Sequence, residues 1–258
     1  MKRLLKTVMW LGLIIYLVVV LGLVADKEKS IPCRFLVVTM EDTVNQHFIS
    51  DQDVYSYILD HDNKLLGKPL GEINTDRFEK LAASIPFVRR AEVFKTSEGS
   101  LHITISQREP VLHVLNPGGN NYYVDNEGYI MPESSFYTAR TVIVNGSFLM
   151  GAKPGHKLDD PEMKNFRTLK KSWKLACYIH QNSFWKAQIE QIWVSEKGEF
   201  TLIPRLGAQT ILFGDLYNYK TKFENLELLY KQRFAGEGWN KYKKINLKYS
   251  NQVICTKK

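Results

Sequence analysis

The chain is poor in cysteine. Its three, Cys33, Cys177 and Cys255, are odd in number and widely spaced, which excludes a disulfide framework or a metal knuckle and leaves at most one bridge; three separate buried or half-buried thiols are the simpler reading. Nucleophile and nucleotide signatures are missing too. No G-x-S-x-G, no G-x-G-x-x-G and no phosphate-binding loop occurs, so elbow-type hydrolysis and nucleotide chemistry have no foothold. The six histidines are scattered without an H-x-x-x-H or H-E-x-x-H pair. His102 falls on the polar side of an alternating run, where a solvated imidazole is the ordinary case. The carboxylate pairs in "SDQD" and "LDD" stand at predicted helix starts, where acids are expected on electrostatic grounds alone. No repeat or low-complexity segment is visible. Nothing in the motifs points to an enzyme, and no cofactor and no metal is expected.

Only one long apolar run is present. Thr7 to Ala25 is nineteen residues without a charge, rich in Leu, Val and Ile, near the length a helix needs to cross a bilayer. Residues 7–25 therefore read as a transmembrane helix. A cleaved signal peptide is the alternative, but its apolar stretch is usually shorter, and "LGLVADKEK" has a weak small-residue pattern around Ala25. Lys2, Arg3 and Lys6 lie in a lead of residues 1–6 that has no acidic residue; the positive-inside bias keeps this lead cytoplasmic and sends everything after Lys27 across. The expectation is a single-pass anchor with a large ectodomain.

The net charge of +8 is uneven, with eight Lys and Arg against one Glu between Lys231 and Lys258. With the basic lead also set aside, the intervening segment is weakly acidic. A basic C-terminal segment suits anionic lipid, nucleic acid or an acidic partner. Outside the cytoplasm nucleic acid fits least.

Within the ectodomain, "CRFLVVTM" (33 to 40) reads as a strand. Ser50 and Asp53 form a helix-start pair, with Val54, Tyr57 and Ile58 then recurring on one face. A second helix has Thr75 as its cap, Phe78, Leu81, Ala82 and Ile85 as its stripe, and Pro86 as its stop. "VRRAEVFK", the turn "TSEGS" and "LHITISQ" follow, and in the last of these Leu101, Ile103 and Ile105 alternate with polar residues, the mark of a half-buried strand. The unit is β-α-α-β-β over residues 33–107.

"REP" at 108 to 110 breaks that strand, and residues 108–258 read as a β domain with attached helices. Strands are predicted at Val111 to Leu115, Tyr122 to Val124, Tyr129 to Met131 and Thr141 to Val144. A helix follows Asp160 as N-cap and Pro161 at the first position, with Phe166, Leu169, Trp173 and Ala176 inward. "QIEQIWVSEKGEFTLIP" and "RLGAQTILFG" supply further strands. Asp215 is expected to open a last helix with Tyr219, Phe223, Leu226 and Tyr230 on one face and a Glu227 to Lys231 ion pair. The closing "KKINLKYSNQVICTKK" reads as one half-buried strand, with Ile245, Leu247 and Tyr249 on one side and Lys244, Asn246 and Lys248 on the other.

The acidic stretch "YYVDNEGYIMP" (122 to 132) invites a calcium reading, but an EF-hand loop needs Gly at its sixth position, whereas Gly128 is three residues after Asp125. What fits is a hairpin in which Asp125 and Asn126 start a tight turn and Gly128 supplies the positive φ.

Together, the lead, the span, "LLGKPL", "LAASIPFVRRAEVFK", "LHITISQREPV", "YYVDNEGYIMP", "VIVNG" and "INLKYSNQ" resemble the bacterial cell-division FtsQ family, also called DivIB; "YTAR" at 137 to 140 resembles its Bacteroidetes branch. The sharpest matches are Pro86, Val88, Ala91 and Val93, the exit Arg108 to Val111, and Val124, Asp125 and Gly128. The resemblance implies an α+β fold class: a single N-terminal transmembrane helix, a POTRA domain, then a β domain. It also implies a non-enzymatic divisome scaffold in the bacterial inner membrane at the septum, with its C-terminal domain periplasmic. The POTRA domain would help localisation, and the last strands would bind FtsB (DivIC)-like proteins paired with FtsL-like ones. Mapped here, the partner-binding residues are Lys244, Ile245, Leu247, Lys248, Tyr249, Ser250, Asn251 and Val253. The family pattern usually has an acidic residue in "vDLRY", whereas this chain has Asn246 and Lys248 in "INLKY". Physically, an open strand edge can accept a partner segment as one more strand, and its lysines either attract an acidic partner or guard the edge against aggregation. Two other classes stay open: a POTRA protein handling polypeptides in outer-membrane assembly, and an anchored wall-modifying enzyme.

Overall fold

The computed structural model describes residues 9–19, 30–41, 48–147, 151–234, 241–249 and 252–258. The chain divides into two compact units, Met1–Gln107 and Arg108–Lys258. Residues 9–19 form a helix, α1, whose side chains are all exposed. The rest of the expected span over 7–25 lies outside the described residues, and among the described residues no helix is long and apolar enough to cross a membrane.

The first unit continues with β1 (Phe35–Met40), α2 (Asp51–His61), α3 (Thr75–Ala83), β2 (Val88–Lys95) and β3 (Ser100–Gln107). Its sheet has the order β1-β3-β2, with β1 parallel and β2 antiparallel to the central strand. The α2 start is a reciprocal capping box: Asp53 N donates to Ser50 Oγ at 3.2 Å, and Ser50 N donates to Asp53 Oδ2 at 2.9 Å. Those hydrogen bonds to Ser50 hold the Asp53 carboxyl below its usual range. In α3 the cap is Asn74, one residue earlier than the sequence pattern suggests, its Oδ1 accepting from Arg77 N at 3.2 Å. An amide oxygen one residue ahead of Thr75 reaches the free N–H of the first turn, so the threonine is left inside the helix. Leu101, Ile103 and Ile105 are fully buried, and with Val54, Ile58, Phe78 and Ala82 they form this unit's core.

The second unit is built on nine strands: β4 (Pro110–Val114), β5 (Tyr122–Asp125), β6 (Ile130–Pro132), β7 (Val142–Gly146), β8 (Ile189–Val194), β9 (Phe200–Pro204), β10 (Thr210–Gly214), β11 (Tyr242–Asn246) and β12 (Ile254–Lys257). Their order is β12-β11-β10-β9-β8-β7-β4-β5-β6. Three helices, α4 (Arg167–Gln181), α5 (Ser183–Gln188) and α6 (Tyr219–Leu229), connect strands of this sheet. Leu169, Leu175, Ile179, Trp185, Phe223 and Leu226 from the helices share one core with Ile192, Leu202, Ile211 and Ile245 from the sheet.

Three local expectations are corrected. Asp160 does not cap a helix with its side chain; its carboxylate accepts from Lys157 N at 2.7 Å, and Pro161–Asn165 form a 3-10 turn ahead of α4. The last helix starts at Tyr219 rather than at Asp215, after Asn218 in the left-handed region at φ 49, because Asp215 is engaged by Lys222. The C-terminal run is two strands, not one: β11 and β12 pair antiparallel. The expected Glu227 to Lys231 pair is present at 2.6 Å.

The hairpin at 125 to 128 is a side-chain-stabilised turn. Asp125 Oδ1 accepts from Glu127 N at 2.9 Å and from Tyr129 N at 2.7 Å, and Gly128 has φ 79. The other carboxylate oxygen accepts from Arg108 Nη1 at 2.9 Å. This pair is buried, and Trp173 Nε1 donates to the Asp125 carbonyl at 2.8 Å, tying α4 to the turn.

Candidate functional site at the terminal hairpin

An alternating segment that enters a sheet beside a parallel neighbour must return over a connection long enough to cross it, and α6 is that connection between β10 and β11. β11 then runs parallel to β10 on one side and antiparallel to β12 on the other. Its backbone is therefore flanked on both sides. Among the described residues, β12 (Ile254–Lys257) is the outermost strand at this end of the sheet and leaves its outer edge open.

The expected site residues separate accordingly. Ile245 and Leu247 are 0% and 2% exposed, so their side chains serve the core, and Leu247 N donates to Leu212 O at 2.9 Å. Lys244 is exposed. Lys248 Nζ pairs with Glu199 Oε2 at 2.5 Å. Tyr249 is 51% exposed, as is Ile254 at 42% on β12. Val253 is half-buried against the core. Ser250 and Asn251 lie outside the described residues.

Leu247, Lys248, Tyr249, Gln252 and Val253 converge with the start of α6 on a cleft of about 120 Å³. Its rear wall is set by Lys222, a 9% exposed cation. All three of its protons are used: Nζ donates to Phe213 O at 3.0 Å, to Asp215 O at 2.9 Å and to Asp215 Oδ1 at 3.0 Å. The hydrogen bond from Lys222 holds the Asp215 carboxyl below its usual range, against a smaller opposing effect of burial. Lys222 thus satisfies the carbonyls where the chain leaves β10, and it fixes one side of the cleft. Gly214 fixes another. Its φ is 76, and a Cβ there would come within 3.0 Å of Lys248 Cγ, so the glycine lets the Lys248 stem cross the strand end on its way to Glu199.

Lys243, Lys244, Lys257 and Lys258 are exposed around the hairpin and give it a positive field. Among the described residues no group of three or more His, Cys, Asp or Glu is placed to hold a metal. Cys33, Cys177 and Cys255 are all free thiols, and burial raises each of them.

Sequence reasoning missed β12 as a separate edge, Lys222 as the wall of the cleft, and Arg108 as the partner of Asp125. For β12 a signal existed: Asn246, Ser250 and Asn251 are turn-forming residues inside the supposed strand, and Asn246 Oδ1 accepts from Lys248 N at 3.0 Å, which begins the reversal.

A family profile described as FtsQ/DivIB, C-terminal related, matches residues 109–256, and one for a POTRA-like domain matches residues 31–106. The cell division protein FtsQ of Rhodothermus marinus is 24% identical over 193 residues, which cover 73% of this chain and 67% of that protein. The first profile spans more than half of the sequence and takes in all but the last residue of the nine-stranded sheet, so the chain belongs to the FtsQ/DivIB C-terminal related family and carries a POTRA-like domain ahead of it.

Proposed function

We propose that this protein is a non-enzymatic, membrane-anchored scaffold of cell division. In this reading residues 7–25 anchor it in the bacterial inner membrane, the POTRA-like unit and the β domain are periplasmic, and the protein gathers FtsB (DivIC)-like and FtsL-like partners with other divisome proteins at the septum. The binding region is the terminal hairpin from Lys244 to Val253 together with β12. What carries the reading is the open edge of β12 at the end of a nine-stranded sheet. Unpaired backbone groups on such an edge are a template for one more strand, and the neighbouring pocket gives side-chain selectivity to a backbone interaction that has little of its own. Ile245 and Leu247 support the edge from the core, while Tyr249 and Lys244 meet the partner directly. The lysines around the hairpin speed the approach of an acidic partner more than they tighten the complex.

The test is binding of the full chain in detergent to the organism's own FtsB-like and FtsL-like periplasmic segments. Tyr249→Lys puts a charge at the mouth of the cleft without touching the core, and it should weaken binding by about tenfold or more, the loss usual for a central aromatic contact. Unchanged binding and septal localisation by that variant would remove the terminal hairpin as the site.

A further inference from the structure

We infer that the β domain carries a second binding surface, a cationic cleft that receives the carboxylates of an acidic peptide segment. It lies at the opposite end of the sheet from the Tyr249 cleft, where β7 and β8 begin and β9 ends. Arg140 stands two residues ahead of β7, Lys186 in the short helix α5, and Arg205 directly after β9. The three converge on a cleft of about 20 Å³ whose floor is Val111, Val142 and Ile189, all of them buried. The rim is stiff: Arg205 N donates to Gln188 O at 2.7 Å, and Thr141 N to Ala139 O at 3.1 Å.

The charge in this cleft is not balanced. Arg140, Lys186 and Arg205 are exposed, and none of them is in an ion pair among the described residues. Glu109, two residues ahead of Val111, already holds His180, the fourth basic group lining the cleft, at 2.9 Å. Cations brought together from three separate elements repel one another, and an anion seated between them relieves that repulsion. Size narrows the class. Room for roughly one water-sized group admits the tip of a carboxylate and excludes a base or a sugar ring. Shape narrows it further, because a planar carboxylate can enter edge-on between the planar forks of Arg140 and Arg205 while the rest of its side chain stays at the rim. A tetrahedral inorganic phosphate is too bulky for that space. The surface does not depend on the terminal-edge reading, and Tyr249→Lys leaves it intact.

The probe is a fluorescein-labelled peptide of alternating Glu and Leu, titrated by anisotropy against the full chain in neutral detergent at about 50 mM salt, where exposed charges are only partly screened. Arg140→Gln with Arg205→Gln should weaken binding by about tenfold or more, while Lys64→Gln with Lys95→Gln, an equal loss of exposed charge in the POTRA-like unit, should change it by less than about twofold. Both double variants change exposed side chains, and an unchanged melting curve checks that each is folded. Inorganic phosphate should compete no better than chloride at equal ionic strength. Equal weakening by the two double variants would overturn the site in favour of a diffuse field. No binding by the parent chain would overturn it outright, and displacement by phosphate with chloride inert would overturn the carboxylate assignment.

Discussion

Replacing Asp125 with Ala removes three acceptor roles at once. Asp125 is fully buried and Arg108 is 8% exposed; the guanidinium stacks over the Tyr129 ring at 3.6 Å, and its Nε has no partner among the described residues. Losing the carboxylate strands that cation and leaves the N–H groups of Glu127 and Tyr129 without the oxygen they now share. Deleting one partner of a buried ion pair costs about 3–5 kcal/mol. At about 2–4 °C per kcal/mol for a chain of this size, the midpoint should fall by roughly 6–20 °C. Tryptophan emission reports mainly on the affected unit, since four of the five tryptophans, Trp173, Trp185, Trp193 and Trp239, belong to residues 108–258, the POTRA-like segment 31–106 has none, and the fifth is Trp10. Asp125→Asn keeps the shape and one carbonyl oxygen for the turn, so it should cost less, about 1–3 kcal/mol. A drop under about 2 °C for the alanine variant would refute the reasoning. Equal drops for both variants would show that the charge alone matters and that the turn acceptors contribute nothing.

Lys222→Met should destabilise the β domain by about 1–3 kcal/mol, read from urea unfolding, because the carbonyls of Phe213 and Asp215 lose their donor in a buried site. Asp215→Asn should do far less, as that side chain is 71% exposed and surface ion pairs are screened. The sign with pH follows: Asp215 is held below its ordinary 3.8 in the folded chain, so its small contribution is present above that value and fades as the pH falls through the lower native one; a loss beginning instead above pH 6 would contradict this. Burial, with the nearby Asp125 charge adding to it, pushes the Cys177 thiol up to about 12. At pH 8 a disulfide reagent should therefore modify it about a thousandfold more slowly than an unperturbed cysteine, and fast labelling of native Cys177, resolved by peptide mapping, would contradict that burial.

How much was legible in the sequence depends on how far apart the interacting residues lie. The α2 capping box, the alternation of β3 and the turn at Asp125 to Gly128 involve residues within a few positions of one another, and each appears where the pattern puts it. The α3 cap at Asn74 is displaced by one residue because asparagine and threonine are both competent caps and only the backbone decides between them. Arg108 and Lys222 are different in kind. A lysine in a helix reads as a solvated side chain, and nothing in the order of residues says that Lys222 points back at Phe213. Likewise Arg108 reads in the sequence as part of a strand exit, while its partner lies 17 residues on.

The terminal hairpin shows why periodicity misleads at the site itself. Ile245 and Leu247 are buried at the expected spacing, and continuing that period would bury Tyr249 as well. It does not, because β11 ends at Asn246 and the chain turns on the asparagine side chain. Leu247 stays buried through its backbone bond to Leu212, outside the strand. Alternation therefore reports which residues face the core, not whether their backbone is paired. That distinction decides which strand lies outermost: the residues with the clearest β pattern are enclosed between β10 and β12, and the less regular "ICTK" is the last strand of the sheet. A basic, irregular and short last strand is also what limits unwanted pairing, so the same features that hid β12 from the pattern protect that edge from aggregation.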